Sequence, residues 1–187
     1  MDLGTALRHS AARLPDKTAV ICGDQVVSYD ALNRWTEALA NWLLAQGLAP
    51  GDRVAIHWCN SVDVVALYFA CFKAGLIAVP VNNRLKPPEI AYILDHSKAK
   101  LCFSQPELSQ SCEEARADCS NAPPIHSSLP ALDESARAPL PPVPPESVAA
   151  ILYTSGTTAR PKGVMHTHIS LIGATELMIS LGLNETH

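Results

Sequence analysis

Arg53-Val54-Ala55-Ile56-His57-Trp58, then Ser61, the apolar stretch Val62–Ala74, Gly75 and Leu76-Ile77-Ala78-Val79-Pro80, carry the alternation from which the fold is read. The first run is short and aliphatic, as a buried strand is. Ser61 suits a helix N-cap, and Gly75 suits the left-handed residue that stops a helix. Between them Val62–Ala74 is apolar almost all round, which requires burial between other elements. Residues 76–80 read as a second strand, 87–96 as another helix and 100–103 as a third strand. Strands joined by single helices pair in parallel through right-handed crossovers. The class is α/β: a mostly parallel sheet with flanking helices. Residues 62–81 also imitate a transmembrane segment, but Asp63, Lys73, Gly75 and Pro80 divide them into a helix and a strand.

Upstream, residues 3–14 read as an amphipathic helix stopped by Pro15. Residues 18–22 and 25–28 flank Gly23-Asp24, a two-residue hairpin signal. Ser28 then caps a helix in which Leu32, Trp35, Leu39, Trp42 and Leu43 recur at three- and four-residue steps, with Gly47 at its left-handed end. Trp35 and Trp42 on that stripe read as core. Downstream, eight of the 15 prolines fall within residues 123–145. That density removes backbone donors and φ freedom, so the segment is an extended connector, and Pro139-Leu140-Pro141-Pro142 reads as linker. Residues 148–153 restore a strand, and 170–181 look helical. The chain thus divides into an α/β segment (1–120), a proline-rich connector (121–146), and a strand, loop and helix (147–187).

Thr154-Ser155-Gly156-Thr157-Thr158-Ala159-Arg160-Pro161-Lys162-Gly163 is the stretch that speaks of chemistry. Small residues let a backbone turn tightly and aim successive N–H groups into one concave nest for phosphate oxygens. The hydroxyls of Thr154, Ser155, Thr157 and Thr158 add donors, and Lys162 adds a point charge. The stretch reads as a polyphosphate loop, although its composition alone also fits a flexible connector between two strands. It is no Walker A loop: Pro161 stands where the second glycine belongs, and Gly163 where the metal-binding hydroxyl belongs. A G-x-G-x-x-G pattern is missing too. Arg160 reads as solvated.

A net charge of -4 without any Lys/Arg cluster leaves no electrostatic footprint for nucleic acid. At 48% hydrophobic and 17% charged residues, the chain can bury the core of a soluble domain. Its first residues lack the apolar core of a secretory signal. The six cysteines form no C-x-x-C pair, so neither a zinc site nor a disulfide framework follows, and a reducing, cytoplasmic compartment is expected. His166 and His168 would share one face of a strand, as a metal pair does, but no third ligand is near in sequence, so no metal site is assigned. His57 and His96 read as packed or strand-end histidines.

Residues 154–164 resemble the phosphate loop of the adenylate-forming enzymes, the superfamily of acyl-CoA synthetases, luciferases and peptide-synthetase adenylation domains. Val26-Val27-Ser28-Tyr29-Asp30-Ala31-Leu32 resembles the family's "(V/L)TYxEL" segment, and Gly51-Asp52-Arg53-Val54-Ala55-Ile56 its "GDRVA" strand. Lys73-Ala74-Gly75-Leu76-Ile77-Ala78-Val79-Pro80-Val81-Asn82 is similar to "KAGAxxVPLN". Glu89-Ile90-Ala91-Tyr92-Ile93-Leu94-Asp95-His96-Ser97 is similar to "ELxYxLxxS". Ala159 departs from the usual glycine; a φ > 0 there would cost roughly 1 kcal/mol, and the preferred reading is that the local backbone accepts alanine, as in other members. Thr167-His168 resembles a Thr-His pair that leads into the next helix.

This resemblance implies an ATP-dependent carboxylate–CoA ligase, nearest to the fatty-acid ligases. In such enzymes a carboxylate attacks the α-phosphorus of ATP, giving acyl-adenylate and pyrophosphate, and the thiol of coenzyme A then takes the acyl group. The resemblance assigns Thr154, Ser155, Gly156, Thr157 and Thr158 to the β- and γ-phosphates. It assigns Lys162, as catalytic residue, to the charge on the departing pyrophosphate, with Mg²⁺ accompanying the nucleotide. The family's "YGxTE", "TGD" and C-terminal "GK" segments are not found in the 187 residues. The expectation is therefore an N-terminal portion of an AMP-binding domain, from a truncated gene, a broken frame or an incomplete sequence, and inactive alone. The alternative is a non-catalytic subunit whose partner polypeptide carries the remaining motifs. A large exposed apolar patch is expected of such a portion, with helix 62–74 awaiting cover from later segments.

Overall fold

In the computed structural model, which describes residues 1–132, 138–154 and 160–180, each helix and strand expected above forms within the described residues. The order is α1 (Leu3–Arg13), β1 (Thr18–Cys22), β2 (Gln25–Ser28), α2 (Tyr29–Ala45), β3 (Arg53–His57), α3 (Val62–Ala74) and β4 (Ile77–Pro80). It continues with α4 (Pro87–Ser97), β5 (Leu101–Ser104), α5 (Ser109–Ala117), β6 (Ile125–His126), β7 (Val148–Thr154), β8 (Lys162–Thr167) and α6 (His168–Ser180). The caps follow the sequence. Ser28 Oγ accepts from the Ala31 N–H and Ser61 Oγ from the Val64 N–H, both at 3.3 Å. Gly75 ends α3 at φ +70, and Gly47 follows α2 at φ +85. Cys22 pairs with Gln25, which leaves Gly23-Asp24 as a two-residue turn between β1 and β2.

The main sheet runs β6-β5-β3-β4-β7-β8, parallel throughout except that β8 is antiparallel to β7. Successive residues of β3 turn to opposite faces. Val54 and Ile56 join Leu39, Leu43, Leu67, Leu101 and Phe103 beneath α2 and α3. Ala55 joins Val79, Cys102, Ile90 and Leu94 beneath α4. Burial on both faces is why this strand is written as an unbroken apolar run. Helix α3 is enclosed by α1, α2, β1, β3 and β4. Most of the cover of α3 comes from α1 and α2, and the later His168 ring of α6 covers Phe72, while Val65, Tyr68 and Phe69 stay partly exposed.

Passing from β3 to β4 moves one way along the sheet, and passing from β4 to β5 moves back across β3. A constant crossover hand then puts α3 and α4 on opposite faces, as observed. Residues 105–146 hold structure that their sequence conceals. Helix α5 turns only Cys112 and Ala115 inward, and β6 pairs with β5 over Cys102↔Ile125 and Phe103↔His126. The Asp95 carboxylate accepts from the Ser120 and Asn121 N–H groups at 3.0 and 3.3 Å, tying this connection to α4. The last helix starts at His168 rather than at residue 170, because Thr167 Oγ1 accepts from the Ser170 N–H at 3.2 Å and acts as its cap.

Leu152, Val164, Met165, Ile169 and Leu177, on β7, β8 and α6, remain exposed near the β8 edge of the sheet. Among the described residues, no helix is long and apolar enough to cross a membrane.

Candidate functional site

Because α3 follows β3 onto one face and α4 follows β4 onto the other, the chain leaves a crevice beyond the carboxyl ends of these adjacent strands. Open α/β sheets take ligands at such a switch point. A cavity of ≈ 450 Å³ lies there, lined among others by Ile56, Trp58, Asn60, Tyr68, Asn82 and Leu152. Tyr153 and Pro161, at the two feet of the hydroxyl-rich stretch, line it as well. The residues that flank the stretch read from sequence as a polyphosphate loop therefore stand at the switch-point cavity.

Strands β7 and β8 fix the feet of that loop. Thr154 and Lys162 are cross-strand partners, and both are exposed. Directly opposed residues of an antiparallel pair share a face, and the two-residue alternation makes it the face of Leu152. The intervening pair, Tyr153↔Gly163, faces α4. There the Tyr153 hydroxyl lies 2.8 Å from His96 Nδ1, and Tyr92 donates its hydroxyl to the Pro161 carbonyl at 3.2 Å. Tyr92 and His96 stack at 5.2 Å on consecutive turns of α4, and the Arg160 guanidinium lies over the Tyr92 ring at 5.5 Å. Burial, followed by the neighbouring Tyr92, pushes the Tyr153 hydroxyl up to about 12, so it serves as a neutral hydrogen-bonding group. Helix α4 thus holds both feet of the loop.

Gly163 is required by space rather than by backbone dihedral. A Cβ there would lie 2.9 Å from Ile151 Cγ2 and 3.2 Å from Tyr153 Cζ. Gly163→Ala is expected to tilt the Tyr153 ring off His96 and to cost about 1–3 kcal/mol, the usual range for overpacking. Urea unfolding of the two proteins checks this; coincident midpoints would show that the strand pair absorbs the methyl freely.

Of the residues assigned from sequence, Thr154 and Lys162 stand together at the mouth of the loop. Ser155, Gly156, Thr157 and Thr158 lie outside the described residues, as does Ala159. Arg160, read as solvated, is exposed, with its guanidinium over the Tyr92 ring. His166 and His168 do not share a strand face: His166 ends up in β8, whereas His168 opens α6. His168 is buried, its Nδ1 accepts from the Leu3 N–H at 3.3 Å, and its ring meets Phe72 edge-on. Its role is to fasten α6 to α1 and α3. His57 is buried against Ser104. Among the described residues, no three His, Cys, Asp or Glu side chains converge as metal ligands do. The clamp by Tyr92 and His96 escaped the sequence reading; its only signal was two ring side chains one helical turn apart on α4.

Comparison with known proteins matches residues 7–186 to the AMP-binding enzyme family. The fatty acid–[acyl-carrier-protein] ligase ScoC of Streptomyces coeruleorubidus is 38% identical over 180 residues, covering 91% of this chain and 34% of that protein. The 3-hydroxybenzoate–CoA/4-hydroxybenzoate–CoA ligase of Thauera aromatica is 33% identical over 183 residues, covering 91% of this chain and 35% of that protein. Among solved structures, a Mycobacterium tuberculosis fatty acyl CoA synthetase superposes with a TM-score of 0.83 at 31% identity, over 96% of this chain and 37% of that one. The chain thus spans about a third of the length of the relatives it matches. With a family match across nearly its whole length, and strands β7 and β8 paired beside a switch-point cavity, this chain belongs to the AMP-binding enzymes.

Proposed function

We propose that this chain supplies the triphosphate-gripping part of an ATP-dependent ligase that activates a carboxylic acid as its adenylate and passes the acyl group to the thiol of coenzyme A. The observation that supports it most is the pairing of Thr154 with Lys162 at the feet of a hydroxyl-rich loop beside the switch-point cavity. Loop N–H groups and the hydroxyls of Thr154, Ser155, Thr157 and Thr158, with the Gly156 backbone, hold the β- and γ-phosphates. Lys162 offsets charge on the departing pyrophosphate, a task of positioning and electrostatics rather than covalent chemistry. Mg²⁺ travels with the nucleotide and shields its phosphates.

Within this reading the acid is a fatty acid. The likenesses to ScoC and to the M. tuberculosis synthetase support it, whereas the T. aromatica relative carries hydroxybenzoates in its name. The test is carboxylate-dependent ATP–pyrophosphate exchange by a protein that joins this region to the further length its relatives possess, with fatty acids and hydroxybenzoates compared. Exchange driven by fatty acids is the expected result. Faster exchange with aromatic acids would overturn the substrate, and none with any acid would overturn the ligase. The 187-residue chain by itself is expected to give no exchange.

A second reading, a subunit completed by a separate polypeptide, is favoured by the exposed Val164, Met165, Ile169 and Leu177. A monodisperse monomer that melts cooperatively without any partner would count against it.

A further inference from the structure

Helix α5 and strand β5 bring two thiols together away from the loop. Cys102 Sγ and Cys112 Sγ are 3.5 Å apart, and both residues are fully buried. Their surroundings are polar for a core. His57 Nδ1 lies 3.1 Å from Ser104 Oγ, and His57 Nε2 is buried without a hydrogen-bond partner. The hydrogen bond shared with Cys102 holds the Cys112 thiol below its ordinary range, with His57 and Ser104 acting in the same direction. The same bond, with burial, pushes Cys102 upward. Two buried thiols 3.5 Å apart, one of them on a short helix, are placed as a nucleophile and its resolving partner are. Helix α5 is short and turns only Cys112 and Ala115 inward, so a local opening suffices to admit a small oxidant.

We infer that Cys102 and Cys112 are a redox modification site, which hydrogen peroxide converts into an intramolecular disulfide fastening α5 to β5. The Cys112 thiolate attacks one peroxide oxygen; the O–O bond breaks, the sulfur becomes a sulfenic acid, and hydroxide leaves and takes a proton to become water. The Cys102 sulfur, giving up its proton, then attacks Cys112 sulfur; the S–O bond breaks and a second water leaves. Both sulfurs are oxidised and one peroxide is reduced to two waters. Cys119 is the competing thiol: it is half-buried near the end of the same segment, where its Sγ meets the Ala115 carbonyl at 3.4 Å. The site does not depend on the phosphate-loop reading.

The test uses the purified native chain treated with hydrogen peroxide, blocked by a thiol-alkylating reagent and digested with trypsin. Lys100 and Arg116 place both cysteines on one peptide, residues 101–116, and leave Cys119 on the next. The expected result is a 101–116 peptide lighter by ~2 Da and carrying no alkyl group, restored by dithiothreitol. Cys102→Ser and Cys112→Ser should each abolish it, and Cys119→Ser should leave it. Full alkylation of both cysteines after treatment would overturn the site, as would Cys112 advancing to sulfinic acid beside a free Cys102, or a link through Cys119. Should either serine variant fail to fold, the peptide map of the parent chain decides alone.

Discussion

Lys162→Ala, in a protein that completes this region with the length its relatives possess, is expected to slow carboxylate-dependent ATP–pyrophosphate exchange on the order of 100-fold, the loss typical of removing one group aimed at developing charge. Lys162 is the first residue of β8, opposite Thr154, so the backbone of a strand pair fixes where its stem begins. The side chain is exposed on the cavity-lining face of Leu152, where a polyphosphate would replace solvent as its neighbour. Pyrophosphate gains charge as the α-phosphorus is taken, so an ammonium beside it gains most in the transition state. The fall should therefore sit in kcat more than in the KM for ATP. Lys162→Arg, which keeps the charge but replaces a compact ammonium by a planar fork, should recover only part of the rate. A double change with Thr157→Ala should lower it further. If Lys162→Ala with Thr157→Ala exchanges as fast as the parent, the loop does not hold a triphosphate, and the family relation alone remains.

How much of this was legible in sequence differs by region, and the reason is physical. The β3-α3-β4-α4-β5 course could be read because each strand is buried on both faces and each helix carries its own stop: Ser61 before α3, Gly75 after it, Pro87 at the start of α4. The hydroxyl-rich stretch invites a phosphate reading because phosphate chemistry favours its residue types, but residues 155–159 lie outside the described residues. Helix α5 could not, since Ser109–Ala117 offers only two inward residues and no stripe. The antiparallel turn of β8 was hidden by Gly163, which lowers strand propensity yet is demanded by the Tyr153 ring across from it. The grip of Tyr92 and His96 on the loop's feet spans 69 and 57 residues of sequence, a separation over which no local pattern carries information.

Lys73→Ala is expected to destabilise the fold by about 3–5 kcal/mol, the range for removing one partner of a buried charged pair. In the sequence this lysine argued against a membrane span and opened a segment of family resemblance, with no structural role assigned to it. In the fold it is 1% exposed and the largest of the fully buried side chains. Its ammonium donates to the Asn33 carbonyl at 2.9 Å and to Asn33 Oδ1 at 2.6 Å, and lies 3.5 Å from Glu37 Oε1. Asn33 and Glu37 occupy consecutive turns of α2, so one charged atom of α3 fixes the register of the two helices. Space is equally tight on the other side: a Cβ at Gly4 of α1 would meet Lys73 Cγ at 2.9 Å. Deleting the side chain thus leaves a void between three helices and removes a cationic donor from the Glu37 carboxylate and the Asn33 carbonyl, which keep the Asn33 amide and the Thr36 hydroxyl respectively. Lys73→Met restores most of the volume but not the donor, so it should cost less than Lys73→Ala and more than nothing. Glu37→Ala should cost less than either, because the Glu37 side chain is 17% exposed and its removal leaves the ammonium on Asn33. Urea unfolding of the three variants orders these costs. A Lys73→Ala protein within 0.5 kcal/mol of the parent, well under the ~3 kcal/mol floor of that range, would show that α2 and α3 are held by their apolar contacts alone.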